Sequence, residues 1–258
     1  MEMYDSLSKD YDYFVNWPER LAYELPFIQA QIQSAAGDSH PARVLDAACG
    51  TGMHAIALAQ RGYAAAGADL SAGMIERAVA NAASTGVQAT FQVAGFGALA
   101  SRFSGYDALL CLGNSLPHVL NLSELAKTLA DFAACLRPGG LLLVQQRNFD
   151  AVLAQRARWM KSERAQRTGE QEWLFVRFYD FDPDGRLTFN IITLSRQGPG
   201  DWQQKVDSTR LYPLRRDELV SALETAGFEQ IACYGSLSSE PFDPHSSGNL
   251  VVSGRVPL

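Results

Sequence analysis

Asp46-Ala47-Ala48-Cys49-Gly50-Thr51-Gly52-Met53-His54-Ala55, DAACGTGMHA, lies between a short apolar run and an apolar helical stretch. Counted from Gly50 it satisfies G-x-G-x-x-A, the turn of a dinucleotide-binding unit. Counted from Asp46 it is D-x-x-x-G-x-G, with a carboxylate at the strand end. Either way a strand delivers the chain to a tight glycine turn, and a helix starts close to a ligand because glycine lets the backbone approach it. Both readings call for a second carboxylate that accepts hydrogen bonds from ribose hydroxyls, and Asp69 stands 19 residues beyond Gly50. A solvated turn carboxylate ahead of Ser71 is the plainer reading of the same residue.

Outward from this turn, residues 42 to 140 repeat one theme: a short apolar run, a glycine or polar break, then an amphipathic stretch. Strands are expected at Arg43 to Ala47, Ala64 to Ala68, Thr90 to Val93, Ala108 to Leu112 and Leu141 to Gln145. Helices are expected at His54 to Arg61, Ala72 to Ala83 and Leu122 to Leu136, the last closed by Arg137-Pro138-Gly139-Gly140. Ser71 and Ser123 are the candidate N-caps of the second and third helices. The alternation predicts an α/β fold with a parallel, doubly wound sheet.

The flanks read differently. Residues 1 to 36 hold YDSLSKDYDYFVNW and an amphipathic helix from about Pro18, a cap rather than a sheet element. After the core, EWLFVRFYDFDPDGRLTFNIITLSRQ gives two β-rich runs joined at a hairpin over Asp182-Pro183-Asp184-Gly185, with a third run at Lys205 to Leu211. Asp217 to Ala226 reads as a helix, and Ile231 to Tyr234 and Asn249 to Gly254 as strands returning to the sheet edge. The expected division is a cap or lid at 1–36, a cofactor-binding core at 37–160, an antiparallel β lobe at 161–213, and the rest of the core sheet at 214–258.

Composition narrows the function. A chain of 258 residues, 47% hydrophobic and 19% charged, is long enough to bury a full core. A formal charge of -6 and no Lys/Arg-rich block argue against nucleic acid and favour a small molecule. Cys49, Cys111, Cys135 and Cys233 are scattered, with no C-x-x-C pair, so reduced thiols and no metal site are expected. No apolar run approaches the roughly 18 residues of a membrane span, and the N-terminus is charged and aromatic, so a cytoplasmic protein without membrane attachment is expected.

Asp46 separates the two readings of the glycine turn. A dinucleotide brings a pyrophosphate to the helix N-terminus, where a neighbouring carboxylate would repel it. S-adenosylmethionine carries no phosphate but a sulfonium and an amino group, which a carboxylate favours. The segments VLDAACGTG and GADLSAGMIERA resemble the first two motifs of class I S-adenosylmethionine-dependent methyltransferases. That resemblance implies a Rossmann-like, seven-stranded methyltransferase sheet, an N-terminal helical cap and a small antiparallel lobe inserted after the fifth strand.

CLGNSLPH after the fourth strand, LRPGG, and RNFD after the fifth are similar to glycine N-methyltransferase and the bacterial glycine/sarcosine methyltransferases. The likeness covers residues 1 to 153 well and the rest loosely. It implies that Asn114 and Arg147 hold an amino-acid carboxylate and that Tyr212, in RLYPL, faces the substrate. It also implies a cofactor site drawn from Tyr4, Arg20, Asp46, Ala48, Gly50, Gly52, Asp69, Met74, Gly95, Phe96, Leu112 and His118, with Arg20 reaching the methionine carboxylate. Arginine at a strand's carboxyl end suits this, since its planar fork binds a carboxylate through two parallel hydrogen bonds. The plainer readings are an ion pair with Asp150 or a helix cap for Arg147, a turn cap for Asn114 and a packed histidine for His118.

Two departures stand out. Ala94-Gly95-Phe96 lacks the usual acidic residue after the third strand, so packing and backbone are expected to hold adenine. Gln145 and Gln146 replace the Asp-His of the animal enzyme. The implied chemistry is methyl transfer to the amine of a small amino acid, with no uniquely placed base. Methylation of another small metabolite, a non-catalytic S-adenosylmethionine-binding module and a nicotinamide dehydrogenase are the alternatives.

Overall fold

The computed structural model describes residues 11–37, 41–160 and 166–258. Its first helices are α1 (Tyr11–Phe14) and α2 (Trp17–Ala36), and then the glycine turn joins β1 (Arg43–Asp46) to α3 (Met53–Ala59). The units continue with β2 (Ala64–Asp69), α4 (Ala72–Thr85), β3 (Thr90–Val93), β4 (Tyr106–Cys111), α5 (Leu122–Cys135) and β5 (Leu136–Arg147). After α6 (Phe149–Gln155) come β6 (Gln166–Thr168), β7 (Gln171–Phe181), β8 (Leu187–Gln197) and β9 (Gln203–Leu211), then α7 (Arg216–Thr225), β10 (Glu229–Tyr234) and β11 (Asn249–Arg255).

A seven-stranded sheet runs in the order β3-β2-β1-β4-β5-β11-β10, and β6 to β9 form a separate four-stranded antiparallel sheet. Strands β1 to β5 pair in parallel, while β11 pairs antiparallel with both β5 and β10. The order reverses between β1 and β4, and an open sheet of this kind opens a ligand crevice beyond the strand ends at that point.

Apolar side chains cover both faces. On one, Leu129 and Phe132 of α5 and Leu219 of α7 pack with Leu109, Leu142 and Val252. On the other, Leu25, Ile28 and Ile32 of α2 meet Val44, Leu110 and Leu143. The helix expected as a cap is therefore a layer of the core, because its buried side chains recur at helical spacing and join Ala55 and Leu58 of α3 in covering that face.

Two other local expectations change. Asn121, not Ser123, caps α5, since its side chain accepts from Glu124 N while its own backbone is extended. Arg137 to Gly140 does not separate α5 from the strand; β5 starts at Leu136 opposite Tyr106 and resumes register at Leu141 opposite Ala108. The intervening bulge needs glycine, as a Cβ at Gly140 would lie 2.8 Å from the Arg137 carbonyl oxygen. The last two strands do reach the sheet edge, with β11 inserted inside β10. Ser71 caps α4 through Met74 N, and the hairpin closes as Asp182 N donates to Arg186 O at 2.9 Å.

Candidate active site

Beyond β1 the backbone turns through Gly50 (φ 52°) and Gly52 (φ 81°), a region that side chains resist. Gly52 is a packing requirement as well, because a Cβ there would lie 2.8 Å from the Phe91 ring and 2.9 Å from Ala78 Cβ. Asp69 fastens the turn. Its Oδ2 accepts from Gly50 N and its Oδ1 from Ser71 N, both at 2.9 Å.

A cavity of about 430 Å³ opens here, lined by Ala48, Gly50, Asp69, Met74, Gly95, Phe96 and His118 among the expected residues. Phe96 is set edge-on against Phe132, with centroids 5.2 Å apart. Leu112 and Gly52 do not line it; Leu112 is a core residue. Burial lowers His118 to about 4, so its imidazole is neutral near pH 7.

Under the turn lies a buried polar group. Asp46 is 2% exposed, and its Oδ1 has no hydrogen-bond partner among the described residues. Burial raises its carboxyl to about 6; His54 opposes that rise, Asp69 adds to it, and a backbone bond from Ala48 opposes it again. Nearby, Glu24 links Arg20 Nε at 3.0 Å to His54 Nε2 at 2.7 Å. Burial alone would raise Glu24, but the His54 hydrogen bond and the Arg20 charge leave it lowered. Arg20 lies over Trp17 at 5.2 Å and comes within 3.9 Å of a Cβ built on Gly113, a cavity-lining residue.

Tyr4 lies outside the described residues. Among the described residues the tyrosine that lines the cavity is Tyr11, and Asp12 ties its helix to the core, accepting from Thr51 Oγ1 at 2.6 Å, Arg77 Nε at 2.9 Å and Asn81 Nδ2 at 3.3 Å. Ser115, Thr209 and Arg210 also line the cavity without having been anticipated. Arg210 is paired with Asp184 at 2.6 Å, so its charge is already engaged.

At the carboxyl end of β5, Arg147 N donates to Asn114 Oδ1 at 2.9 Å. Asn114 adopts φ 67° and is held by its own N–H on Gln145 O, between cavity-lining Gly113 and Ser115. Asn148, not Arg147, caps α6, and Asp150 accepts from Arg216 N through Oδ2. Tyr212 is a correction: it does not line the cavity, its hydroxyl donates to Glu218 at 2.8 Å, and its ring packs on the core. Gln145 and Gln146 are buried and hold backbone, through Gly113 N and Leu214 O respectively.

A methyltransferase-domain model matches residues 44–140, the span from β1 into β5. The chain is 30% identical over 245 residues to a glycine/sarcosine N-methyltransferase of Aphanothece halophytica, covering 91% of this chain and 82% of that protein. The chain belongs to the S-adenosylmethionine-dependent methyltransferases. It is also 29% identical over 242 residues to the glycine/sarcosine N-methyltransferase of Halorhodospira halochloris, with 92% and 83% covered. Among solved folds, an S-adenosylmethionine-dependent methyltransferase from Clostridium acetobutylicum superposes with a TM-score of 0.76 at 14% identity, covering 92% of each chain. Streptomyces venezuelae DesVI gives 0.72 at 20% identity, covering 100% and 98%.

The residues of this methyltransferase fit its cofactor. A buried carboxylate oxygen without a donor suits a ligand that brings positive charge, and Asp46 and Asp69 together would repel a pyrophosphate. Asp69 could take the ribose hydroxyls, Phe96 and Met74 could pack on adenine, and Arg20 could take the methionine carboxylate. Among the described residues no group of three or more His, Cys, Asp or Glu is placed to hold a metal ion, and no helix is long and apolar enough to cross a membrane.

Proposed function

We propose that this methyltransferase acts on the amine of a small amino acid such as glycine or sarcosine. The observation that carries the reading is the Asn114–Arg147 bond. It sets an arginine at the carboxyl end of a central strand, one residue away from the cavity wall on either side of Asn114. With Asn114 Oδ1 engaged by backbone, its amide is fixed and its Nδ2 remains a donor, a second contact for a carboxylate beside the guanidinium. The names of the two relatives above support the same acceptor class.

When bound, S-adenosylmethionine supplies an electrophilic methyl on a sulfonium. The chain's part is to place the amine in line with it and to exclude water, an effect worth up to roughly 7 to 11 kcal/mol in well-oriented systems. Arg147 and Asn114 fix the carboxylate end, so the amine has one direction left to face. His118, lowered to about 4, is a poor acceptor for an ammonium proton. That leaves the tyrosines, or loss of the proton to water before the acceptor is enclosed, to supply the free amine.

Incubation of the enzyme with deuterated-methyl cofactor and a panel of amino acids, amino sugars and phenols, read by mass spectrometry, tests this. Label on glycine or sarcosine is expected. Label only on sugars or phenols would replace the reading with another small-metabolite methylation, and no label with tight cofactor binding would leave a non-catalytic module.

A further inference from the structure

The proposed reaction gives no task to Glu24 and His54, two polar residues buried behind the glycine turn. Glu24 stands one turn beyond Arg20 on α2, and His54 is the second residue of α3, the helix that leaves the turn. Burial opposes the charge of Glu24, but the His54 hydrogen bond and the Arg20 charge outweigh it, so the carboxyl is lowered and ionised near pH 7. An ionised carboxylate only accepts. Oε1 takes Arg20 Nε at 3.0 Å and Oε2 takes His54 Nε2 at 2.7 Å, which puts the imidazole proton on Nε2.

Trp17 closes the frame. The Arg20 guanidinium lies over its ring at 5.2 Å, and the His54 ring meets it edge-on at 5.6 Å. Arg20 is thus held along its Nε edge by Glu24 and on one face by Trp17. Its Nη2 comes 3.9 Å from the place of a Cβ on Gly113, at the cavity wall. A long side chain otherwise free to change rotamer is already aimed when a ligand arrives, so binding need not order it. Glu24 also offsets part of that cation's charge, so what it adds is direction rather than attraction.

The geometry points to Glu24 as a positioning residue that aims Arg20 at the methionine carboxylate of S-adenosylmethionine, with His54 fastening the pair to the helix of the glycine turn. It rests on the assignment of Arg20 to that carboxylate and is independent of the methyl acceptor. The frame reads the amino-acid end of the donor alone, since the adenosine end is assigned to Asp69, Phe96 and Met74. A ligand without the carboxylate should therefore be blind to Glu24.

The test compares S-adenosylhomocysteine, which keeps the carboxylate, with methylthioadenosine, which lacks the amino-acid end. Both are titrated by calorimetry into the full-length wild type, Glu24→Ala, Glu24→Gln, Arg20→Gln and the double variant Arg20→Gln with Glu24→Ala. Expected for S-adenosylhomocysteine are losses of roughly one to two decades in Arg20→Gln and about tenfold in Glu24→Ala, with methylthioadenosine changed less than about twofold. The double variant should bind S-adenosylhomocysteine no more weakly than Arg20→Gln alone, since Glu24 acts through Arg20. Glu24→Gln keeps the shape and one acceptor oxygen, and should recover part of the loss. Unchanged S-adenosylhomocysteine affinity in Glu24→Ala overturns the role, as does an equal loss for both ligands or an additive loss in the double variant, either of which marks a packing residue. If methylthioadenosine binds too weakly to titrate, the double variant decides. If Glu24→Ala does not fold, Glu24→Gln decides: a loss confined to S-adenosylhomocysteine supports the role, and no loss or an equal loss overturns it. Unchanged affinity in Arg20→Gln overturns it through Arg20 itself and leaves the amino-acid reading of the acceptor standing.

Discussion

Asp69 accepts the backbone N–H of Gly50 at 2.9 Å, so the carboxylate after β2 and the turn after β1 form one rigid unit. Asp69→Ala should therefore weaken cofactor binding by more than the loss of ribose contacts alone, by two decades or more, since each charge-assisted bond is worth about 1.5 to 3 kcal/mol. Some melting temperature is lost too, because Gly50 N and Ser71 N lose their acceptor. Asp69→Asn retains an acceptor oxygen and should lose less. Calorimetry on both variants checks the order, and an unchanged affinity in Asp69→Ala would remove Asp69 from the site.

Asp12 acts as the clasp of the N-terminal segment. Asp12→Ala removes bonds from Thr51, Arg77 and Asn81 and releases Tyr11 from beside the glycine turn. Cofactor affinity should fall about tenfold with only a small drop in melting temperature, as three partly exposed bonds contribute little to global stability. Equal affinity in variant and wild type would show that α1 is packing alone.

The pH dependence follows from Asp46. Its folded pKa of about 6 lies above the roughly 3.9 of an unfolded aspartate, so the folded state binds the extra proton between those values. The stability this gives is fully present below about pH 4 and is lost as pH rises through about 6. Binding of a cationic ligand runs the other way, since it selects the ionised carboxylate. Cofactor affinity should weaken by up to about tenfold per unit below pH 6 and level off above it, with proton release on binding near pH 5. Calorimetry in buffers of different ionisation enthalpy measures that release, and Asp46→Asn should abolish it. A flat affinity between pH 5 and 7 would mean that Asp46 does not sense the ligand's charge.

Arg147→Ala should raise KM for an amino-acid acceptor by roughly two to three decades, as losing one partner of a desolvated charge pair costs about 2 to 5 kcal/mol. Arg147→Lys keeps the charge without the fork and should recover only part. Steady-state kinetics with glycine and with its methyl ester distinguish a carboxylate contact from a structural one. An ester used as well as the acid would count against it.

Gly52→Ala tests the turn itself. The left-handed φ of 81° and the 2.8 Å approach to Phe91 both oppose a Cβ. Strain and overpacking together should cost about 2 to 4 kcal/mol, or roughly 5 to 12 °C in Tm. A variant as stable as wild type, by thermal melt, would show that the loop relaxes freely.

The sheet was legible because its strands and helices obey two short periods and because Asp46, Gly50 and Asp69 are spaced along the chain as a local unit. Strand order at the far edge was not: nothing in Asn249 to Arg255 says that it lies inside Glu229 to Tyr234. The same limit hides Glu24 and His54, which meet at 2.7 Å across 30 residues. In the tyrosine-rich N-terminus, Tyr4 lies outside the described residues, and Tyr11 reaches the cavity through Asp12 contacts to Thr51, Arg77 and Asn81 that no short-range pattern announces. Tyr212 misled for the converse reason, as a ring near a strand end can turn either way and here Glu218 takes its hydroxyl. Alternation in β7 marks a face containing Arg177 and Tyr179, but what that face covers depends on where the whole sheet lands.

The β5 to α7 connection houses a complete second sheet, and the methyltransferase-domain match ends at residue 140, ahead of it. Floor and ceiling of the cavity are thus written in different paragraphs of the chain. On the proposed reading, substitutions in the ceiling would retune which acceptor fits while the turn assigned to the donor keeps its shape, and the two halves of a transfer reaction could drift at separate rates within one protein.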